Sequence, residues 1–522
     1  MGPDEPRYAW IARDMAESGD WVTPRLYGKP WFEKPVLYYW GAAASFKLFG
    51  VNEAAARLPS ALSALMATLA LSWLAWRIYG GETARWLLLL LPTSAGMIGF
   101  SHAAATDMPF SGMLCVAMVC AAVVLRLDRA EAQPEPARTP WLALVLFGFF
   151  LGAAVLAKGP AAMVLSGGGV FFWALCTKRW RDAFRLFHPA AIATLVVTAL
   201  PWYVLCARRN PEFLRVFIIE HNFKRYLTPE FQHIQPFWFY VPVLLVAFLP
   251  WIGILLWTVV AGSSRAFKYK KISDAMVFFL IWAGFCFVFF SISKSKLPGY
   301  ILPAIPAIAL VLARSCASLA VEKAKSFGIT IGIFAILFYG ASELLSGLHF
   351  HFGASGVQLV LALVRMLGML ALANGLISAG YLFFKNHWPR TFTISMCVIP
   401  VLFLVLVVDK WDAGVAPFSS RDLAEQLIAH HIPPDKSFIH NGISRGMHLG
   451  LNFYMRREIP DWNLNPDSEA YVISGGHSCE GLRKDGFDCT EILLESPASG
   501  WFVSHVTPKA LENGTTHGGK SP

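Results

Sequence analysis

Charge is scarce in this 522-residue chain. Only 15% of its residues are Asp, Glu, Lys or Arg, against 56% hydrophobic, and mean hydropathy is +0.50. So little charge excludes an ordinary solvated surface and indicates a polytopic membrane protein. Several motifs are also missing. There is no P-loop, no Gly-x-Ser-x-Gly and no His-Glu-x-x-His, so nucleotide-driven transport and serine or zinc hydrolysis lack support. The nine cysteines show no Cys-x-x-Cys or Cys/His ligand spacing. Most lie in apolar runs and read as small core residues. No signal peptide and no repeat of fixed period is evident. The net charge of +10 invites a nucleic-acid partner. The cations, however, cluster in short loops between apolar runs, where the positive-inside rule accounts for them, so no nucleic acid is expected.

What the chain does have is length without polarity. Apolar runs of about 18 residues or more, each enough to cross a bilayer, recur between residues 55 and 408. They predict about twelve spanning helices, near 55–78, 84–105, 107–126, 141–157, 160–177, 187–206, 237–261, 275–292, 299–320, 327–347, 357–384 and 391–408. The fold class expected is mainly α: a polytopic transmembrane helical bundle with a small C-terminal α/β domain. Residues 1–54 form an N-terminal segment, 55–408 the transmembrane domain with a long loop at 207–236, 409–507 a soluble domain and 508–522 a disordered tail.

Orientation follows from parity. Arg126 to Arg138, Lys178 to Arg185, Arg265 to Lys271, Arg314 to Lys325 and Lys385 to Arg390 all fall on one side, which is then cytoplasmic. The opposite side receives the N-terminal segment, the Thr106-Asp107 junction, the Lys158-Gly159-Pro160 junction, the 207–236 loop, the Ser293–Pro298 junction and everything from 409. By the same parity Met1 starts outside with no helix to carry it there, so a first transmembrane helix is expected upstream.

In the soluble domain a helix begins at Ser420 with Ser419 or Ser420 as N-cap. Residues 436–440 and 469–474 read as strands, and 446–454 as a second helix. Cys479 and Cys489 lie ten apart, either disulfide-bonded in an oxidising compartment or as two thiols.

Each polar group of the outer side also has an ordinary explanation. Glu33 and Lys34 sit inside the aromatic run Trp31–Trp40, where Pro35 biases Lys34 away from helix. They read equally as a solvated pair. Asp107 reads as a helix cap or as a functional membrane-edge acid. Lys158 reads as a snorkelling lysine or as a cation aimed at an anion by the Gly159-Pro160 turn. Glu220-His221 and Arg225 read as part of a solvated amphipathic helix or of a site. Lys294, Lys296 and Tyr300 read as membrane anchors or as anion ligands. Acids and cations at nearly every outer junction suit an enzyme handling a lipid-linked phosphate: cations hold phosphate, and acids serve proton transfer or sugar hydroxyls.

At these residues the chain resembles the GT-C glycosyltransferases of the aminoarabinose transferase (ArnT) and protein O-mannosyltransferase type. The matching stretches are Asp4-Glu-Pro-Arg-Tyr8, Lys29 to Pro35, Arg57-Leu-Pro-Ser60, Asp107, Ala157-Lys-Gly-Pro160, Phe217 to Thr228, Pro236 to Tyr240 and Ser295 to Tyr300. The resemblance implies a helix preceding the Asp4 motif and a periplasmic C-terminal domain in a bacterial inner membrane. It implies an undecaprenyl-phosphate or related polyprenyl-phosphate sugar donor, and inverting transfer to a lipid such as lipid A or to a protein. Asp4 matches the family's catalytic acidic position, with Glu33 and Asp107 binding sugar or supporting it. Arg7, Lys34 and Lys158 would hold the donor phosphate, and Tyr8 and Tyr300 would donate hydrogen bonds to it. Glu220, His221, Arg225 and Lys296 are candidates for acceptor or phosphate contacts. The resemblance leaves room for a divalent metal near Glu33, with Asp4, although the spacing defines no ligand set.

Two other readings stand beside this one. A transferase with a protein or polymer acceptor keeps the chemistry. A lipid or sugar transporter without chemistry requires charges through the membrane centre and inverted repeats; this chain places its charges at helix ends.

Lys34→Ala is expected to abolish sugar transfer while leaving expression and folding intact, and Lys34→Arg to retain part, since charge survives but geometry changes. Turnover of Lys34→Ala in a transfer assay, beside its melting curve, checks this; wild-type turnover removes Lys34 from the site.

Overall fold

The computed structural model describes residues 4–128, 139–224, 226, 234–249, 251–259, 272–318, scattered positions from 329 to 384, 420–440, 443–462, 469–476, 479–492 and 501–508. It divides into two compact units: a large one of apolar helices beginning at Tyr8, and a smaller one formed by the C-terminal residues with residues up to Arg7.

The large unit opens, from Tyr8, within helix α1 (Glu5–Ser18), followed by the short hairpin β1 (Arg25–Leu26) and β2 (Lys29–Pro30), and helix α2 (Leu37–Phe49). Long helices follow: α3 (Glu53–Tyr79), α4 (Gly81–Leu90), α5 (Ala95–Ser101), α6 (Asp107–Val124), α7 (Trp141–Lys158), α8 (Ala161–Thr177), the short α9 (Trp180–Phe184) and α10 (Pro189–Arg209). Beyond them lie Tyr240–Ala247, Asp274–Ile292 and Ile305–Ala317, the last continuing a 3-10 turn from Pro298. Helix ends are written locally. Asn52 caps α3 by accepting from the Ala55 N–H at 2.8 Å, and Gly80, at φ 88°, ends it.

Among the described residues six helices are long and apolar enough to span a membrane, or seven if α4 and α5 count as one span bent by 62°. Two expected spans need correction. The run 84–105 is broken at Pro92, which has no N–H to donate and whose ring clashes with the carbonyl four residues back. The run 160–177 forms the helix expected, α8, at the short end of the lengths that cross a bilayer. The run 237–261 is a 3-10 turn, the helix Tyr240–Ala247, a turn at Phe248–Leu249, and helix again over 252–259. The spans expected at 327–347, 357–384 and 391–408 lie largely or wholly outside the described residues.

α6 is the central helix. Of its apolar window 83% is buried, against 22% for α10. The outer face of α3 carries Leu62, Leu65, Leu69, Trp73 and Trp76, all exposed and at helical spacing. A stripe of large apolar groups turned outward fits a hydrocarbon solvent. Close packing relies on small residues. A Cβ on Gly148 would lie 2.2 Å from the Ala191 carbonyl oxygen, and one on Gly152 would lie 2.8 Å from Thr198 Cβ. This small-x-x-x-small stretch lets α7 and α10 touch backbone to backbone.

The described junctions gather at two ends of the helices. One end holds Asp107, Lys158, Gly299 and Tyr300 in mutual contact. The other end is tied by Arg179, which bonds Asp182, Asp274 and the Leu125 carbonyl. Arg77 pairs with Asp128 at 3.2 Å, and Arg314 lies over the Tyr79 ring.

The smaller unit contains a four-stranded sheet in the order β3-β4-β6-β5, with β3 (Ser437–Ile439) parallel to β4 (Ala470–Ser474). β6 (Phe502–Pro508) is antiparallel to both β4 and β5 (Phe487–Ile492). Helices Arg421–Ala429 and Arg445–Met455 cover one face through Leu423, Leu427, Leu451, Ile473 and Val503. The expected helices and two strands are present. Ser420 stands at the N-cap but makes no side-chain cap bond, whereas Ser444 does cap the second helix. Two strands, β5 and β6, and the helix Cys479–Lys484 were not anticipated, although Phe487-Asp-Cys-Thr490 alternates buried and exposed as a strand should. β6 runs to Pro508, one residue into the expected tail, and the remainder of that tail lies outside the described residues. Cys479 and Cys489 are disulfide-bonded, joining the last helix to β5.

Gly148→Ala is expected to lower stability by about 1–3 kcal/mol through overpacking. Gly284→Ala, with nothing within 4 Å of the added methyl, serves as the neutral control. Thermal unfolding in detergent compares them.

Candidate active site

The site is built where helix ends meet. α6 starts at Asp107, with Thr106 as its N-cap residue making no side-chain cap bond. Asp107 is therefore not the cap. Its carboxylate accepts a 2.5 Å hydrogen bond from the Lys158 ammonium. Lys158 ends α7, where Gly159 adopts φ 97° and Pro160 leads into α8, so the turn aims the lysine inward. Its side chain is only 10% exposed, which disposes of the snorkelling reading. The ammonium also lies 4.5 Å from the Tyr300 ring centroid and 5.4 Å from that of Phe110. Gly299 completes the cluster. A Cβ there would come within 2.9 Å of both Asp107 Oδ1 and the Phe100 ring, so only glycine lets this junction reach the pair.

A second group of polar residues surrounds a cavity of about 520 Å³. Its walls are Pro30 to Glu33 on one side and Arg209 to Glu212, Val216 and His221 on the other. An aromatic stack joins the walls: Phe32, Phe213, Trp202, Tyr203 and Phe217 meet ring to ring at 4.9 to 5.8 Å. The Tyr203 hydroxyl donates to the Val155 carbonyl at 3.1 Å, one turn before Lys158. Glu220 and His221 ride on a π-helix, Arg215–Lys224, a rare winding that recurs at functional sites. Arg215 pairs with Glu212 at 2.5 Å and reaches Glu220 at 3.7 Å.

The loop beneath this cavity is tied by Asp20. It accepts from the backbone N–H groups of Val22 and Thr23 and pairs with Arg209 at 3.0 Å and Arg25 at 3.6 Å. Burial works to raise its pKa, but these N–H groups and guanidinium groups outweigh it and hold the carboxyl below the usual range.

The remaining expected residues fall as follows. Lys34 is half-buried in the bend before α2, next to Glu33. Tyr8 is buried against Tyr38 and Tyr39 at 6.0 and 6.3 Å. Asp4 and Arg7 belong to the smaller unit, paired with each other at 3.2 Å; Arg7 is buried and Asp4 is 69% exposed. Arg225 lies outside the described residues. Lys296 is buried and bonded to two carbonyls, at 2.6 Å to Ser293 and 3.0 Å to Gln235. Among the described residues no three His, Cys, Asp or Glu side chains gather as metal ligands, so Glu33 and His221 share a cavity without forming a ligand set. Sequence reasoning missed Arg209, Asn210 and Asp20. The signal for the first two was available, because Arg208-Arg209-Asn210 closes an apolar run on the outer side, as Lys158 does.

The class these features define is a polytopic helical membrane protein that gathers acid, cation and phenol from several helix junctions at one end. A family model described as dolichyl-phosphate-mannose-protein mannosyltransferase matches residues 1–217. The chain is 33% identical over 362 residues to the undecaprenyl phosphate-alpha-4-amino-4-deoxy-L-arabinose arabinosyl transferase of Edwardsiella ictaluri, covering 69% of this chain and 61% of that protein. It is 32% identical to the protein of the same name from Serratia proteamaculans, covering 74% and 64%. The chain thus spans somewhat over three fifths of these relatives. In structure it is similar to ArnT from Cupriavidus metallidurans bound to undecaprenyl phosphate, with a TM-score of 0.80 and 25% identity over 97% of this chain and 93% of that one. The chain is thus similar to the ArnT-type transferases in sequence and in fold.

Removing either member of the Asp107–Lys158 pair strands the other in a poorly solvated place. Asp107→Asn and Lys158→Met are each expected to lower stability, and the double variant to lose less than the sum, with a coupling of about 1–3 kcal/mol. A double-mutant cycle on unfolding midpoints checks this; additive losses would mean that the two groups do not interact.

Proposed function

We propose that this chain is an inverting membrane glycosyltransferase. It moves a sugar from a polyprenyl-phosphate donor, undecaprenyl phosphate, to a cell-envelope acceptor such as lipid A on the periplasmic face of the bacterial inner membrane. The observation that carries the reading is the meeting of Asp107, Lys158, Gly299 and Tyr300 at one end of the bundle, the end where the chain also keeps Glu33 and Lys34. The names of the relatives and the lipid bound in the similar ArnT structure support the donor class.

The reaction needs a displacement at the anomeric carbon. The bond from that carbon to the donor phosphate oxygen breaks, its electron pair stays on the phosphate, and the acceptor oxygen bonds from the opposite face. Charge grows on the leaving phosphate, so fixed cations and phenol donors beside it lower the barrier. Lys34 and Arg7 take the phosphate role, with Tyr8 and Tyr300 as donors. Asp107 holds Lys158 and, through the Lys158–ring contact, sets Tyr300. Glu33, with Asp107, faces the sugar, and the cavity of Glu33, Arg209 and His221 is the space beside it. A phosphate acceptor arrives ionised and needs no base, whereas an acceptor hydroxyl gives its proton to a carboxylate, the role of Asp4. Glu220, His221 and Arg225 face the acceptor.

The domain plan proposed is 1–54, 55–408, 409–507 and the tail, with about twelve helices and the α/β domain in the periplasm. The disulfide Cys479–Cys489 fits an oxidising compartment. The cations tied at the opposite end, Arg77, Arg179 and Arg314, fit a cytoplasmic face.

The test is full-length protein in lipid with radiolabelled undecaprenyl-phosphate sugars and lipid A. Label is expected to move to lipid A, and Asp107→Asn to reduce the rate sharply. Specific donor binding without transfer to any lipid or protein acceptor would overturn the enzyme reading.

A further inference from the structure

Lys296 resembles its neighbour Lys294 in sequence and differs from it in everything else. Lys294 is exposed. Lys296 is only 6% exposed, and its ammonium donates to the backbone carbonyls of Ser293 and Gln235. These two carbonyls belong to different segments. Ser293 ends the helix Asp274–Ile292, whereas Gln235 lies at the end of the long loop that carries Glu220 and His221.

Around Lys296 the two segments are sewn together by backbone as well. The Lys294 N–H donates to the Tyr226 carbonyl at 3.0 Å. Ile234 and Ser295 form an antiparallel bridge. The Tyr226 hydroxyl donates to the Phe289 carbonyl at 2.8 Å while its ring stacks on Phe289 at 4.9 Å. The Tyr240 hydroxyl donates to the Leu297 carbonyl at 3.2 Å. Two residues further on come Gly299 and Tyr300, packed on the Asp107–Lys158 pair.

We propose that Lys296 is a positioning residue, a clasp that joins Tyr226, Ile234 and Gln235 to the 293–300 junction so that this stretch and Tyr300 keep a fixed relation, and that it is not a phosphate ligand. This rests on the reading of the site as a glycosyltransferase centre only for its consequence in catalysis; the clasp itself is a matter of geometry. The division of labour between the two lysines follows. Lys294 faces solvent at the same junction, and its positive charge is the one an incoming anion meets. Lys296 has turned its donors onto the Ser293 and Gln235 carbonyls. Burial, with the neighbouring Lys294 charge, lowers the Lys296 pKa, which agrees with a group spent on backbone carbonyls and not on an acid.

The test reads the clasp without requiring activity. Ile234→Cys and Ser295→Cys are introduced together and cross-linked by oxidation. With Lys296 in place the pair is expected to cross-link readily. Lys296→Met is expected to slow cross-linking roughly tenfold, the factor that losing one net hydrogen bond corresponds to, while Lys294→Met leaves the rate unchanged. Undecaprenyl-phosphate binding is measured on the same proteins. The clasp predicts that Lys296→Met keeps this binding, with a fall in transfer rate and little change in donor KM. Unchanged cross-linking, or loss of phosphate binding with cross-linking intact, overturns the proposal. If Lys296→Met does not fold, hydrogen exchange on the native protein decides. The Lys294 amide, bonded to Tyr226, is expected to exchange slowly, and fast exchange there overturns the clasp. Failure of the glycosyltransferase reading would instead leave cross-linking as expected and transfer absent in every protein, wild type included.

Discussion

The large unit is organised by one ion pair between helix ends, Asp107 on α6 and Lys158 on α7. Both charges stand where the chain leaves its apolar runs, and neither is well solvated. A pair in such a place is costly to break because the survivor keeps its desolvation penalty. It therefore fixes how the two helix ends meet. Tyr300 and Phe110 enclose the ammonium, and Gly299 lets a third junction come within contact. The polar centre of an apolar protein is thus a consequence of where three helix ends can approach.

From that centre the constraints spread through aromatic and backbone contacts. Tyr203 carries α10 to the last turn of α7, and its ring neighbours Phe213 and Phe217 bring in the loop with Glu220 and His221. Phe32 attaches the Glu33-Lys34 stretch to the same stack. Polar residues can then face a cavity while rings exclude water from the wall behind them. Each polar group beside such a wall acts in a lower dielectric than at an open surface, which strengthens its effect on an ionic ligand.

The opposite end works differently. Arg179 bridges α9, the 274–292 helix and the end of α6 through two carboxylates and a carbonyl, with its guanidinium over Trp173. Its partners are all near and all satisfied, so these charges staple helices together. The contrast explains why counting charges at helix ends cannot by itself find a site. Both ends are charged, but Asp107 and Lys158 keep their charges beside a glycine-dependent approach and the Tyr300 ring, whereas Arg179 spends its charge on helix-to-helix ties.

Much of this was legible in the sequence. Apolar run length marked most of the described helices, although Pro92 and the turn at Phe248–Leu249 break two of the runs. The capping residues Asn52 and Ser444 and the closing glycines Gly80 and Gly159 were local signals that local structure obeyed. The family motifs singled out Asp107, Lys158 and Tyr300. Only the tertiary structure decided that these three touch, that Asp107 is a partner and not a cap, and that Lys296 turns inward while Lys294 faces out. It also decided that Arg209 and Asp20 support the cavity. The physical reason is range. Hydropathy and capping act within a few residues, so sequence carries them directly. Which helix ends meet depends on packing between segments tens of residues apart, where a glycine that admits a close approach matters more than any local propensity.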